Sequence, residues 1–318
     1  MGGELVDVIG MLLSALALVG SVAFFCLWAH RAEGNRALTM GLYIVFGAFG
    51  FFVLLYGLGS AYRSYLEGEP VGNISYLAAA LGLIAGIGLI PPLRLLVTKV
   101  VPFDPHSKPD MVGFIVLSQI AVLSIVALAA DDGEFEPLTY PYLVIQAAAF
   151  IAVAFLLVGT WIYRSPRSSL ERLGLVRPTQ KQVWISVGFV FVLFIVSITS
   201  SLLVSEFQPE IGDEITDNLG RMTENIETGP GALLLGVTSG AGEEILVRGA
   251  IQPRYGIAFT SLLFAVLHAQ YGLSFVTAGV FVTGVVFGLE RKYLNTTCCI
   301  ITHSLYNTTA VAVTLVIA

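Results

Sequence analysis

A chain of 318 residues that is 56% hydrophobic and 12% charged, with a mean hydropathy of +0.84, lies far outside soluble composition, where apolar residues reach about 45–50% and charged ones about 25%. It reads as an all-α, polytopic membrane helical bundle, and a net charge of −6 with no basic tract argues against a nucleic-acid partner. Cys26, Cys298 and Cys299 all fall in apolar segments, which fits packing residues rather than a disulfide framework or a Cys-ligated zinc site.

The first apolar run, Leu5 to Ala29, follows Glu4 with no basic residue before it. A secretory leader has a positive start and a shorter apolar core, so this run is expected to be a retained first span. A span needs about 20 apolar residues. On that criterion helices fall near 5–29, 37–61, 74–98, 111–130, 141–163, 183–205, 231–253, 256–271, 273–289 and 297–316. Because 231–289 could instead hold two long helices and a re-entrant piece, the expectation is about 8–10 transmembrane helices. Pro91 and Pro92 should kink or end the third.

Lys and Arg alternate between loops. Arg31 and Arg36, then Arg94, Lys99 and Lys108, then Arg164, Arg167, Arg172, Arg177 and Lys181, and finally Arg254, Arg291 and Lys292 occupy alternate connections, whereas the intervening loops hold only Arg63 and Arg221. By the positive-inside rule this predicts an integral, multi-pass protein of the cell membrane with both termini outside and the basic loops in the cytoplasm. The outer loops are acidic: Asp131, Asp132, Glu134 and Glu136 in one, and seven carboxylates from Glu206 to Glu227 in another. A solvated surface is the plain reading of these, and a cation-collecting vestibule the sharper one.

The basic stretch 164–182 divides the chain into N-terminal helices of unassigned role, 1–165, and a catalytic helical core, 166–318. Within it Ser169 to Leu175 should form a short amphipathic piece that stops at Pro178. Gly229, Gly231, Gly236, Gly240, Gly242 and Gly249 would let helices approach closely around the acidic segment that follows.

That segment, GVTSGAGEEILVRGAIQPR over 236–254, carries Glu243, Glu244 and Arg248 between apolar flanks. An ionisable side chain in hydrocarbon costs from about 2.5 to over 10 kcal/mol, so it marks a polar interior with a task. Glu244 and Arg248 are i,i+4 neighbours and can pair, while Glu243 is turned about 100° away and stays free. Phe264 with His268, and His303 with Asn307, repeat the i,i+4 spacing in the next segments. Estimated depths overlap, with Glu243 about 18 Å into its span. Glu243 could then act as general base on a water held between it and His268, with His303 and Asn307 as oxyanion donors and Arg248 fixing Glu244. A zinc ion held by Glu243, His268 and His303 would use the same atoms differently, although the usual H-E-x-x-H pair is absent. Cofactors are therefore either none or a divalent metal. Each residue alone has a structural reading: a buried ion pair for Glu244 and Arg248, a hydrogen-bonded packing residue for His268. The case for a site rests on their convergence.

GEEILVRG matches the E-E-x-x-x-R motif of the CPBP family, the CAAX protease and bacteriocin-processing or ABI family of intramembrane proteases; FAVLH and HSLYN resemble its F-x-x-x-H and H-x-x-x-N motifs, in the family's order. LERLGLVRPT resembles the segment that often leads into the family's core, so the resemblance covers about 170–316. It is similar to the type II CAAX prenyl endopeptidases. The resemblance implies an endopeptidase, glutamate-dependent or metallo, acting in the bilayer on a membrane-associated protein or peptide, either a prenylated CAAX-type chain or one without a lipid anchor. Glu243 would be the water-activating base, His268 its partner, His303 and Asn307 the oxyanion donors, and Glu244, Arg248 and Phe264 the supports. Two other classes compete: a transporter or proton relay built on the same Glu and His residues, which inverted repeats and broken helices would favour, and a non-catalytic scaffold, which loss of Glu243 or His268 would favour.

Overall fold

The computed structural model describes residues 2–128 and 135–317, and among these the chain is helical throughout, with no strand beyond one isolated bridge between Thr160 and Arg164. Helices α1 (Gly2–Ala32), α2 (Arg36–Glu67), α3 (Asn73–Leu89), α4 (Pro91–Val97) and α5 (Lys108–Leu128) come first. Then follow α6 (Tyr140–Leu157), α7 (Pro166–Leu173), α8 (Gln180–Phe207), α9 (Pro209–Thr223) and α10 (Gly229–Glu244). A π segment (Ile245–Ile251) joins α10 to α11 (Gln252–Val266), and α12 (Phe275–Tyr293) and α13 (Thr296–Ile317) close the order.

Among the described residues six helices, α1, α2, α5, α6, α8 and α13, are long and apolar enough to cross a membrane, and seven if α3 and α4 count as one broken span. Pro91 and Pro92 open α4 after a 97° break, as their chemistry predicts, because neither can donate back into α3. The other expected segments are helical but short or interrupted. The one at 231–253 leaves α-geometry at Ile245, α11 has 15 residues, and α12 carries Glu290, Arg291 and Lys292 just before its end at Tyr293. Large apolar side chains point outward along the long helices, as on α8 with Phe191, Ile195 and Leu202, which suits a hydrocarbon surrounding.

The chain divides into two compact units, Phe25–Ala130 and Met1–Phe24 with Asp131–Ala318. In the first, α2 and α3 pack backbone to backbone, and a Cβ on Gly57 would meet the Ala79 nitrogen and the Ser75 carbonyl. In the second, polar caps fix where helices begin. Thr139 caps α6, Thr228 caps α10, Ser274 caps α12, and Thr179 with Gln182 forms a capping box on α8. Helix α7 starts at a Ser165 cap and ends at Gly174 in the left-handed conformation, not at Pro178, since glycine closes the last turn first. Its buried face is Ser169 and Leu173. Asp131, Asp132 and Glu134 lie outside the described residues. The seven carboxylates from Glu206 to Glu227 are all exposed on and around α9, the plain surface reading.

Around the acidic segment the glycines divide by position. Gly236 and Gly240 lie against the Ser304 turn of α13, Gly242 against Ala147 of α6 and Gly249 against Leu173 of α7, whereas Gly229 faces open space. One core cluster joins Ala154, Val158, Leu173, Ile245 and Ala250; another joins Leu193, Val247, Phe264, Phe287 and Cys299. The π segment contributes to both.

A Cβ on Gly236 would sit 2.6 Å from the Ser304 carbonyl and 2.9 Å from the Thr308 nitrogen, while one on Gly188 of α8 meets nothing within 4 Å. Both changes add the same helix propensity, about 1 kcal/mol. Gly236→Ala should therefore lower the melting temperature in detergent through overpacking worth about 1–3 kcal/mol, and Gly188→Ala should leave it unchanged or raise it. Equal melting temperatures would sink the close-packing account.

Candidate active site

The site begins where α10 gives way to the π segment. Glu244 is the last α-helical residue, and both its oxygens are taken: Arg248 Nε donates to one at 3.1 Å, and His303 Nδ1 lies 2.9 Å from the other. Glu244 and Arg248 are both 0% exposed, so the expected i,i+4 pair forms out of water's reach. Two buried ions each lose several kcal/mol of solvation, so their geometry must be held. The surrounding rings do this. The Arg248 guanidinium sits over Phe264 at 5.1 Å and over Phe287 at 5.9 Å. Its two terminal nitrogens have no hydrogen-bond partner among the described residues, and the ring faces take that place. His303 stacks on Phe287 at 4.9 Å with 24° between the planes and meets Phe264 edge-on at 6.1 Å.

Glu243 is half-buried and makes no hydrogen bond or ion pair among the described residues. Its electrostatic neighbours are His303 from α13, Tyr142 from α6 and Tyr271 from the turn after α11. Two adjacent carboxylates thus occupy different settings, one saturated and dry, the other open.

His268 does not share a helical face with Phe264, because α11 ends at Val266 with Leu267 as its cap and His268 is non-helical (φ −96, ψ 61). The two are joined another way, by the Phe264 carbonyl 2.7 Å from His268 Nδ1. A carbonyl can only accept, so Nδ1 carries the proton and Nε2 of the neutral ring is left as an acceptor. The ring is 4.7 Å from that of Phe264 and stacks on Tyr271 at 6.0 Å, with planes 3° apart. Asn307 Nδ2 donates to Ser239 Oγ at 2.8 Å, and Ser239 in turn donates to the Leu235 carbonyl at 2.6 Å. An amide nitrogen has two protons, so one remains for another acceptor.

The structure thus joins Glu244, Arg248, His303 and Phe264 in one contact cluster, sets Glu243 beside it, and brings His268 in through Phe264. Asn307 stands one turn beyond His303 on α13, bound to α10. Sequence reasoning did not include Tyr142, Gln146, Tyr271 or Ser239. Gln146 donates to the Tyr142 hydroxyl at 2.9 Å, and this polar i,i+4 pair inside an apolar span was the available signal. Among the described residues no group of three or more His, Cys, Asp or Glu is arranged to hold a metal ion. Glu243, His268 and His303 do not form such a set.

Residues 226–309 match the family model for type II CAAX prenyl endopeptidase Rce1-like proteins, about a quarter of the chain, and the match spans all three motifs. It agrees with the resemblance to the CPBP family and with an integral membrane protein of a CAAX-protease type. No curated protein and no solved structure matches the chain.

Glu244→Gln should cost about 3–5 kcal/mol, because it leaves the Arg248 charge buried and unpaired. Glu243→Gln should change stability by only about 0.5 kcal/mol, as expected where no folded-state contact is lost. Chemical unfolding in mixed micelles checks both, and equal effects would contradict the division of labour between the two glutamates.

Proposed function

We propose that this chain is an intramembrane endopeptidase that hydrolyses a peptide bond of a membrane-associated protein with a water activated by Glu243. The observation that carries the reading is the unpartnered Glu243 carboxylate beside a carboxylate whose own charge is fully matched. A base needs a free lone pair near its water, and Glu243 has one.

In this reading the water donates one proton towards Glu243 and the other to His268 Nε2, the acceptor left by the Phe264 carbonyl. Glu243 takes its proton as the oxygen attacks the scissile carbonyl carbon. Charge then develops on the carbonyl oxygen, where the second Asn307 amide proton and a His303 Nε2 proton can be aimed. His303 offers that proton only as imidazolium, since its Nδ1 faces Glu244, and the Glu244 carboxylate is the counterion of that form. As the tetrahedral centre collapses, Glu243 passes its proton to the leaving nitrogen, the C–N bond breaks, and both products leave with atoms balanced. Arg248 and Phe264 act through Glu244 and the rings.

The substrate class follows from the family match, which points to a protein anchored at the membrane, with prenylated CAAX-type chains as the first candidates. The Lys and Arg distribution supports a topology with the basic loops in the cytoplasm and both termini outside.

Glu243→Gln should reduce cleavage by about 10²–10⁴-fold, the range for losing a general base, with the protein still folded. Asn307→Ala should lower kcat by about 10²–10³-fold with a smaller effect on KM. Comparing membrane peptidomes of cells with the native chain and with Glu243→Gln would identify the substrate; retained cleavage by the variant refutes the assigned base. Full activity after dialysis against a strong chelator is expected of a carboxylate-held water. Loss restored by zinc would instead put a metal in its place.

A further inference from the structure

Away from the acidic cluster, three guanidinium groups gather where the turn after α6, the end of α7 and the end of α12 meet. Arg172 stands in the electrostatic field of Arg164, Arg254 and Arg291, while the adjacent carboxylate, Glu171, is paired with Arg167. Arg164, Arg172 and Arg291 are each half-buried, so none is a freely solvated surface charge. A guanidinium carries five N–H donors, about fifteen for the three. Among the described residues one is used, Arg172 Nη1 to the Gly249 carbonyl at 3.2 Å. Arg291 makes no hydrogen bond or ion pair among the described residues, and its Nε is buried without a partner. Arg164 is held by the ring of Tyr163, 5.0 Å from the centroid.

The backbone makes room for this gathering. Any Cβ at Gly174 would come within 2.6 Å of the Arg291 guanidinium carbon and 2.7 Å of a terminal nitrogen. The left-handed glycine that ends α7 therefore lets Arg291 lie flat against the chain. Leu173 and Gly174 are tied to α13 by Thr296, whose hydroxyl donates to the Leu173 carbonyl and whose backbone nitrogen donates to that of Gly174. Burial, and then the like charges of Arg254, Arg164 and Arg291, press Arg172 below the usual arginine value. Arg164, Arg172 and Arg291 are partly buried cations that leave most of their donors unspent among the described residues, the setting that suits an anion.

We propose that Arg164, Arg172 and Arg291 form a binding site for a phosphate group, carried by an anionic lipid headgroup or as free phosphate. Forked, planar donors match phosphate oxygens pairwise, which single lysine charges do not. Arg172 also holds the carbonyl of Gly249, the residue after Arg248, so the bound anion is one residue from the site's buried cation.

The test titrates the purified full chain in a zwitterionic detergent with inorganic phosphate and, separately, with a short-chain phosphatidylglycerol, against sodium chloride of equal ionic strength and a short-chain phosphatidylcholine. A saturable rise in melting temperature of roughly 2–4 °C is expected with at least one of the two anionic probes. A rise with phosphatidylglycerol alone assigns the site to lipid, with phosphate alone to a soluble anion, and with both to the phosphate group itself. Arg291→Gln, which removes a guanidinium with no hydrogen bond, should keep or raise the ligand-free melting temperature and weaken binding at least tenfold. Arg172→Lys, which keeps the charge but not the fork, should weaken it too. Arg167→Gln, on the exposed side of α7, should bind as the native chain does. No saturable rise with either probe, or an unchanged rise in Arg291→Gln, overturns the proposal.

Discussion

The carboxylate of Glu244 holds its charge where no water reaches it, and the elements around it are arranged by that fact. Arg248 supplies the opposite charge from the next turn, His303 reaches in from α13, and Phe264 and Phe287 close over the guanidinium from α11 and α12. In hydrocarbon a shift of any one of these would leave an ion unpaired, at a cost of several kcal/mol. The cluster therefore acts as a register mark. It does not add much net stability over an apolar core of the same shape, but it penalises the wrong alignments of α10, α11, α12 and α13 far more than the right one.

Such a mark works only if the helices can come close and stay there. Gly236 and Gly240 remove the side chains that would hold α10 away from the Ser304 turn, which brings His303 within reach of Glu244. The same stretch of α13 is gripped from the far side. Glu290 of α12 accepts hydrogen bonds from Ser186 of α8 and from Thr302, the residue before His303, both at 2.8 Å. One turn earlier on α12, Phe287 stacks on His303 itself. The imidazole is thus fixed by backbone approach on one side and by a polar clamp on the other.

Much of this was legible in the sequence because membrane burial makes ionisable residues conspicuous. Glu243, Glu244, Arg248, His268 and His303 stand out from apolar flanks, and the i,i+4 spacing alone paired Glu244 with Arg248. The proline break at Pro91 and the exposed acidic surface near α9 followed from residue chemistry in the same way. What escaped depends on contacts between distant segments or on backbone geometry with no periodic signature. Hydrophobic period cannot say that α6 lies against α10, so Tyr142 and Gln146 were not counted beside Glu243. Nor can it reveal the π segment, whose residues other than Gly249 are compatible with an ordinary helix, or that α11 ends two residues before His268. Between 231 and 289 apolar content leaves two readings open, three short spans or two long helices with a re-entrant piece, because it does not say where a helix breaks.

The two glutamates show how sequence adjacency becomes chemical difference. One residue along a helix is a rotation of about 100°, enough to face another environment. Glu244 turns into the ring-lined interior and absorbs Arg248 completely, and the rings leave the guanidinium no route to a second carboxylate. Had Arg248 been free to reach Glu243, that carboxylate would be neutralised as well, and the proposed base would be lost. The saturation of Glu244 is thus the condition for the openness of Glu243, and a site built on a carboxylate-held water needs both.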